Sequence, residues 1–252
     1  MEEEEEEGVE VKANLILAVQ TQDINLIAST LNSCKISLLD LRDSSNHTIF
    51  HDLSCCIVPE SELISFITQL KSYFFDISQY TQLLNTQSLV EHQTALHIAV
   101  KHNKKVLTIQ KLIKEYLSLG ADLNVKDKNL RNVCHLAALY GKTALLELFN
   151  SLGAEFEEKD FNGRLHLHLA AMEGNEASSL YLIANSVGFD VQDNDGMTPL
   201  HYAAVSNSYR IARHLVLKGA SRLIKDKLGR TSLDIAKAKG GSSILPVLVK
   251  DN

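Results

Sequence analysis

Five histidines in this chain stand at one recurring place, and imidazole is the side chain best suited to bind a metal or move a proton near neutral pH. His51, His97, His135, His168 and His201 all sit at the same position of a repeated local pattern. A metal site or a general base asks for a convergent cluster, whereas repeat-related positions form a ladder along an array. The two close pairs, His166-x-His168 and His97 with His102, have no acidic or cysteine ligand at a telling spacing. Cys34, Cys55, Cys56 and Cys134 lack the paired spacing of a zinc site, so reduced thiols are expected. Cys134 stands where leucine recurs and reads as a small core hydrophobe. Cys55 and Cys56 fall near the end of a first helix, with a redox or lipidation role as the sharper alternative. There is no nucleophile elbow, no P-loop and no dinucleotide-binding glycine pattern. The economical reading of the histidines is one structural bond made five times. The chain is expected to be non-catalytic, with no metal and no cofactor.

The elements that carry these residues follow from a repeat. Its clearest copy is Asp193-Asn194-Asp195-Gly196-Met197-Thr198-Pro199-Leu200-His201-Tyr202-Ala203-Ala204. Asp226, Gly229, Thr231, Leu233 and Ala236 follow 33 residues later; Asp160, Gly163, Leu167, His168, Ala170 and Ala171 precede by 33, and Asp127, Cys134, His135, Ala137 and Ala138 by another 33. Upstream the interval loosens to 38 residues, at Thr94-Ala95-Leu96-His97, and then to 46, at Thr48-Ile49-Phe50-His51. A degenerate copy, Leu15 to Val19, brings the expected number of units to about seven.

Each residue type has a physical task. Asp with Gly three places on suits a tight turn, because Asp bonds its own backbone and Gly tolerates positive φ. Thr or Asn before the apolar run caps a first helix. Gly141, Gly174, Gly240, Asn103 and Asn207 fit a left-handed helix stop. A second helix follows, apolar at Leu145, Leu146, Leu148, Phe149 and Leu152 in one copy and at Ile211, Ala212, Leu215 and Val216 in another. Gly120-Ala121, Gly153-Ala154 and Gly219-Ala220 end it. Pro59-Glu60-Ser61 is expected to begin a helix through Leu63, Ile64, Ile67 and Leu70. Residues 74–88 are expected to form either a longer loop or an elongated helix. A longer second helix is expected through Ile109, Leu112, Ile113, Tyr116 and Leu117, and a closing helix over 242–249 with Ile244, Leu245 and Leu248 inward.

On these residues the chain resembles the ankyrin-repeat family, over almost everything after residue 11. The resemblance implies an all-α solenoid of helix-turn-helix units joined by β-turn fingers. It also implies that the recurring histidines bond backbone between neighbouring units. The expected organisation is an acidic tail over 1–10 and an array over 11–252, with units beginning near 11, 43, 89, 127, 160, 193 and 226. Departures are Leu165-His166 for Thr-Pro, Ser186-Val187 for Gly-Ala, and a turn over 89–93 without Asp or Gly. Arrays of this family present finger tips and the inner ends of first helices along a concave side. Carried onto this chain, those places are Lys128, Arg131, Leu139, Tyr140, Phe161, Arg164, Met172, Met197, Val205 and Arg230. Aromatic, Met and Arg side chains are enriched in interface centres. The expected partner is another protein or peptide segment with an apolar anchor and acidic flanks.

Composition bounds the alternatives. The net charge is −6, and Glu2 to Glu7 alone supply six negatives, leaving 25 acidic and 25 basic residues. Such a run is expected to be a solvated tail, with docking on basic finger tips as the sharper alternative. Nucleic acid is not expected as a partner, since that would favour a basic surface. No apolar run approaches a membrane span and the acidic start is unlike a secretory signal, so a soluble cytoplasmic protein is expected, with a cytoskeletal or ciliary assembly as one setting. Two further functions remain open. One is a structural subunit or assembly chaperone of a large complex. The other is the regulatory or substrate-recruiting part of a larger protein such as a palmitoyltransferase, whose ankyrin arrays the stretch from Lys218 to Ala236 resembles.

Overall fold

A computed structural model describes residues 42–55, 67–68, 77–102, 106–185 and 188–249, and the chain divides into two compact units, 1–128 and 129–252. Among the described residues there are helices and turns and no strand, as the sequence leads one to expect. The first unit holds α1 (Ile49–Cys55), α2 (Ile77–Asn85), α3 (Ala95–Lys101) and α4 (Val106–Ser118). The second holds α5 (Val133–Leu139), α6 (Thr143–Ser151), α7 (His166–Met172), α8 (Glu176–Asn185), α9 (Pro199–Val205), α10 (Tyr209–Leu217), α11 (Ser232–Ala238) and α12 (Leu245–Leu248).

In the second unit the helices alternate between two rows. The seven-residue helices α5, α7, α9 and α11 pack side by side in order, and α6, α8, α10 and α12 pack in order behind them. Close approach follows from composition, since Ala137, Ala138, Ala170, Ala171, Ala203, Ala204 and Ala236 are buried. Leu145, Leu146, Phe149, Ile211, Ala212 and Leu215 fill the seam from the second row. Each buried leucine-sized side chain contributes roughly 1.5–3 kcal/mol by leaving water. Leu152 departs from the expected inward set: it caps the end of α6 and is 53% exposed.

The turns before the first helices are built as their residues demand. Asp160 Oδ1 accepts the amides of Asn162 and Arg164, Asp193 Oδ1 those of Asp195 and Met197, and Asp226 Oδ1 those of Leu228 and Arg230. Glycine is required at the third step for two reasons: Gly196 has φ +77°, and a Cβ there would meet the Lys227 amide nitrogen at 2.9 Å. In the copy beginning at Asp127, Leu130 takes the left-handed conformation, with φ +57°, that glycine holds elsewhere.

The irregular stretches follow the same logic. Asp43 makes the same turn with Asn46 at φ +62°. The turn without Asp or Gly is closed by Ser88, whose Oγ accepts the Gln93 amide, while His92 supplies φ +52°. The 13 residues of α4, against nine in α6 and α10, accommodate the added length of that unit, with Ile109, Leu112, Ile113 and Tyr116 buried. Part of 74–88 is the separate helix α2, which buries Tyr80, Leu83 and Leu84. Ile67 is helical and buried, whereas Leu63, Ile64 and Leu70 lie outside the described residues, as do Leu15 to Val19, the acidic tail, Cys34, Cys56, Asn103 and Ser186-Val187. The closing helix is shorter than expected: only Leu245–Leu248 is helical, with Ile244 and Leu248 buried and Leu245 half-buried.

Candidate partner-binding face

The bonds made by the histidine nitrogens decide whether these rings can do chemistry. His168 Nδ1 accepts the Leu165 amide at 3.0 Å, and its Nε2 donates to the Val191 carbonyl at 3.0 Å. His201 does the same between Thr198 and Arg230, and His51 between Thr48 and Gln93. His135 Nε2 reaches the Glu158 carbonyl, and His97 Nδ1 contacts the amide and hydroxyl of Thr94. An imidazole that accepts at Nδ1 and donates at Nε2 is neutral. Burial pushes His51 and His168 down to about 4 and lowers His201 as well. These rings are structural: the Nε2 bonds of His51 and His201 cross to the next unit, as the resemblance implies, whereas those of His135 and His168 reach the last residues of their own unit.

Asn132 and Thr231 cap their helices by accepting the amide three residues on. Thr94 and Thr198 turn their hydroxyls to the histidine instead. Leu165 has no oxygen to offer, yet His168 still holds its amide. Asp234, at the histidine place of the last copy, accepts from the amide and hydroxyl of Thr231. One added polar group is singular: buried His166 stacks on His135 with centroids 3.7 Å apart, and its Nδ1 donates to the Phe156 carbonyl. Burial lowers the pKa of His166 far below the ordinary imidazole value, and the neighbouring His135 adds to this.

The expected binding residues fall in rows along adjacent helices. Leu139, Met172 and Val205 sit at equivalent places at the ends of α5, α7 and α9, each half-buried. Tyr140, next after α5, is 40% exposed. Arg131, Arg164, Met197 and Arg230 form a second row at the finger bases. Phe161 stands at a finger tip, 66% exposed. Its backbone is fixed on both sides: its amide donates to Asn129 O and its carbonyl accepts from Asn194 Nδ2. Met172 is brought to Arg164, with Sδ 3.7 Å from Nη1. Lys128 belongs to the other unit, where its ammonium pairs with Glu91.

The arginines are less available than their exposure suggests. Arg164 forks onto Asp160 Oδ2 through Nε and Nη2 at 3.0 and 2.8 Å, and Arg230 grips Asp226 Oδ2. Where Met197 replaces arginine, the Tyr202 hydroxyl donates to Asp193 Oδ2 at 2.7 Å. Residues 129–208 carry four Lys or Arg and ten Asp or Glu, whereas 209–239 carry nine and two. The stretch that carries the apolar rows is therefore net negative. The overall balance of 25 against 25 concealed this segregation, and a count by segment would have exposed it. Leu130, Leu217, Leu223 and Leu228, exposed by 48–75%, lie outside the expected binding set.

Buried Cys134 has its thiol pushed up to about 12, in keeping with a core role. Cys55 is exposed at the end of α1, with Sγ 3.3 Å from His102 Nε2. Among the described residues no three His, Cys, Asp or Glu side chains converge for a metal, and no helix is long and apolar enough to cross a membrane.

A family model described as Ankyrin repeats matches in three overlapping copies, at residues 96–195, 134–226 and 167–252. No curated protein matches the chain.

Proposed function

The chain belongs to the ankyrin-repeat family, a protein-interaction fold, and from that premise we propose that it is a non-catalytic adaptor that holds a segment of a partner protein across α5, α7 and α9. Phe161 is the observation that carries this reading: a large aromatic ring, 66% exposed, on a turn whose backbone is fixed on both sides. An anchor held rigid before binding loses little conformational entropy on association. Tyr140, Leu139, Met172, Met197 and Val205 extend the apolar surface, and exposed apolar side chains grouped in this way favour association. The carboxylates around them make basic or neutral flanks the better match for the segment. Arg131 borders the same rows, while Arg164 and Arg230 chiefly hold their own turns.

The test is capture of a partner by the full chain, followed by its affinity for Phe161→Ala and Tyr140→Ala. Each anchor truncation is expected to weaken binding by about 2 kcal/mol if it is a hot spot. Unchanged affinity in both folded variants would refute the reading.

A further inference from the structure

A different part of the second unit is built for a different ligand chemistry. Residues 209–239 hold nine Lys or Arg against two Asp or Glu, and the two carboxylates are already committed. Asp226 is gripped by Arg230, and Asp234 caps α11 through Thr231. Lys225, Lys227, Lys237 and Lys239 are exposed and form no ion pair with the described residues. Lys225 and Lys237 both bear electrostatically on Asp234, which places these two cations on one side of α11.

Apolar side chains are interleaved with these lysines. Leu223 is 73% exposed and Leu228 75% exposed, on either side of Lys225 and Lys227. The finger that presents Lys227 and Leu228 is rigid, closed by Asp226 Oδ1 on two amides and by the Gly229 amide on the Asp226 carbonyl. It is also a rung of a ladder. The carbonyls of Asn129, Asn162 and Asp195 each receive the amide of the next finger, from Phe161, Asn194 and Lys227. The equivalent carbonyl of Leu228 receives no amide from the described residues.

We propose that the Asp226–Arg230 finger and the exposed side of α11 form a second docking surface, for an extended acidic segment of a partner protein in which apolar residues alternate with Asp or Glu. Carboxylates meet Lys225, Lys227, Lys237 and Lys239, apolar residues meet Leu223 and Leu228, and a main-chain amide meets the Leu228 carbonyl. An extended chain sends successive side chains to opposite faces, so alternation brings like groups to the same side. A long polyanion such as nucleic acid is disfavoured, because the basic surface is one finger wide and the stretch before it is net negative.

The test uses a labelled peptide of alternating Glu and Leu, titrated onto the full chain by fluorescence anisotropy at low and physiological salt. A Gln-Leu peptide of the same length is the control. Expected is saturable binding of the Glu-Leu peptide that weakens with salt, with little binding of the control. The double variant Lys225→Glu, Lys227→Glu should lose affinity by roughly tenfold or more, and Leu228→Ser by a smaller factor. These side chains are exposed, so an unchanged thermal midpoint is expected to show that the variants fold. Phe161→Ala and Tyr140→Ala should leave peptide affinity unchanged, which separates this surface from the face across α5, α7 and α9. Equal binding of the control, indifference to the charge reversals, or loss with Phe161→Ala would overturn the proposal. So would tighter binding of a single-stranded DNA oligomer or of anionic lipid vesicles than of the peptide.

Discussion

The Tyr202 hydroxyl donates to Asp193 Oδ2 at 2.7 Å, filling the place that an arginine guanidinium takes on Asp160 and Asp226. The substitution of Met197 for arginine is thus compensated from the helix and not from the finger. Tyr202→Phe leaves one oxygen of a buried carboxylate without its donor, and a loss of about 1–3 kcal/mol is expected. Met197→Arg should restore most of that loss in the Tyr202→Phe background and do little alone. Urea unfolding of the four proteins of this cycle checks the coupling, and simple additivity would contradict it.

Acid should destabilise the fold through its buried histidines. His51 and His168 are held near 4, and His166 and His201 are also lowered, against 6.5 in an unfolded chain. Below 6.5 the unfolded chain binds protons that the folded chain refuses, so stability is full above that value and falls as pH drops towards 4. The shift to about 4 corresponds to roughly 3 kcal/mol for each of His51 and His168. Asp52, pushed up to about 6 chiefly by burial, acts in the opposite sense: it holds stability back at neutral pH and partly offsets the loss on acidification. Urea midpoints between about pH 7 and pH 5 should decline. A flat profile would show that the rings are not held neutral.

His166→Pro isolates one member of that set. Pro199 occupies the equivalent first helical position, and Leu165 already has the extended backbone that precedes proline comfortably. The variant loses the bond to the Phe156 carbonyl but also removes a buried titrating ring. Its stability should fall less steeply with acidification than that of the wild type. An equal slope would place the proton uptake elsewhere.

Ser179 offers a stabilising substitution. Its hydroxyl is buried without a hydrogen-bond partner among the described residues, at the place of Leu146 and Ala212 in the flanking helices. Ser179→Ala should raise stability by about 1 kcal/mol, measured as a higher urea midpoint at unchanged slope. A lower midpoint would mean that the hydroxyl is satisfied in solution.

The parts of the fold legible in the sequence were those in which one residue type does one task at a fixed interval. Asp160, Asp193 and Asp226 with Gly163, Gly196 and Gly229 give their turns away, and the histidine ladder follows from five equivalent positions. The turn at Ser88 was hidden because a serine hydroxyl and a left-handed His92 replace both signals. Leu152 misled because helical spacing cannot distinguish a buried row from a residue beyond the last turn. At the candidate face, residue identity picked out the exposed Phe161 and Tyr140 but gave no sign that Arg164 and Arg230 grip the aspartates of their own turns, since those pairs depend on how each finger closes. The basic character of 209–239 was missed because opposite excesses in neighbouring stretches cancel in the total.

The most direct measurement replaces single residues with a photocrosslinking amino acid in the full chain and irradiates it in its native cell extract. Positions 140 and 161 should capture the same partner, while positions 147 and 213, exposed on α6 and α10, should capture none of it. Capture of that partner from 147 or 213, with none from 140 or 161, would contradict a binding face along α5, α7 and α9.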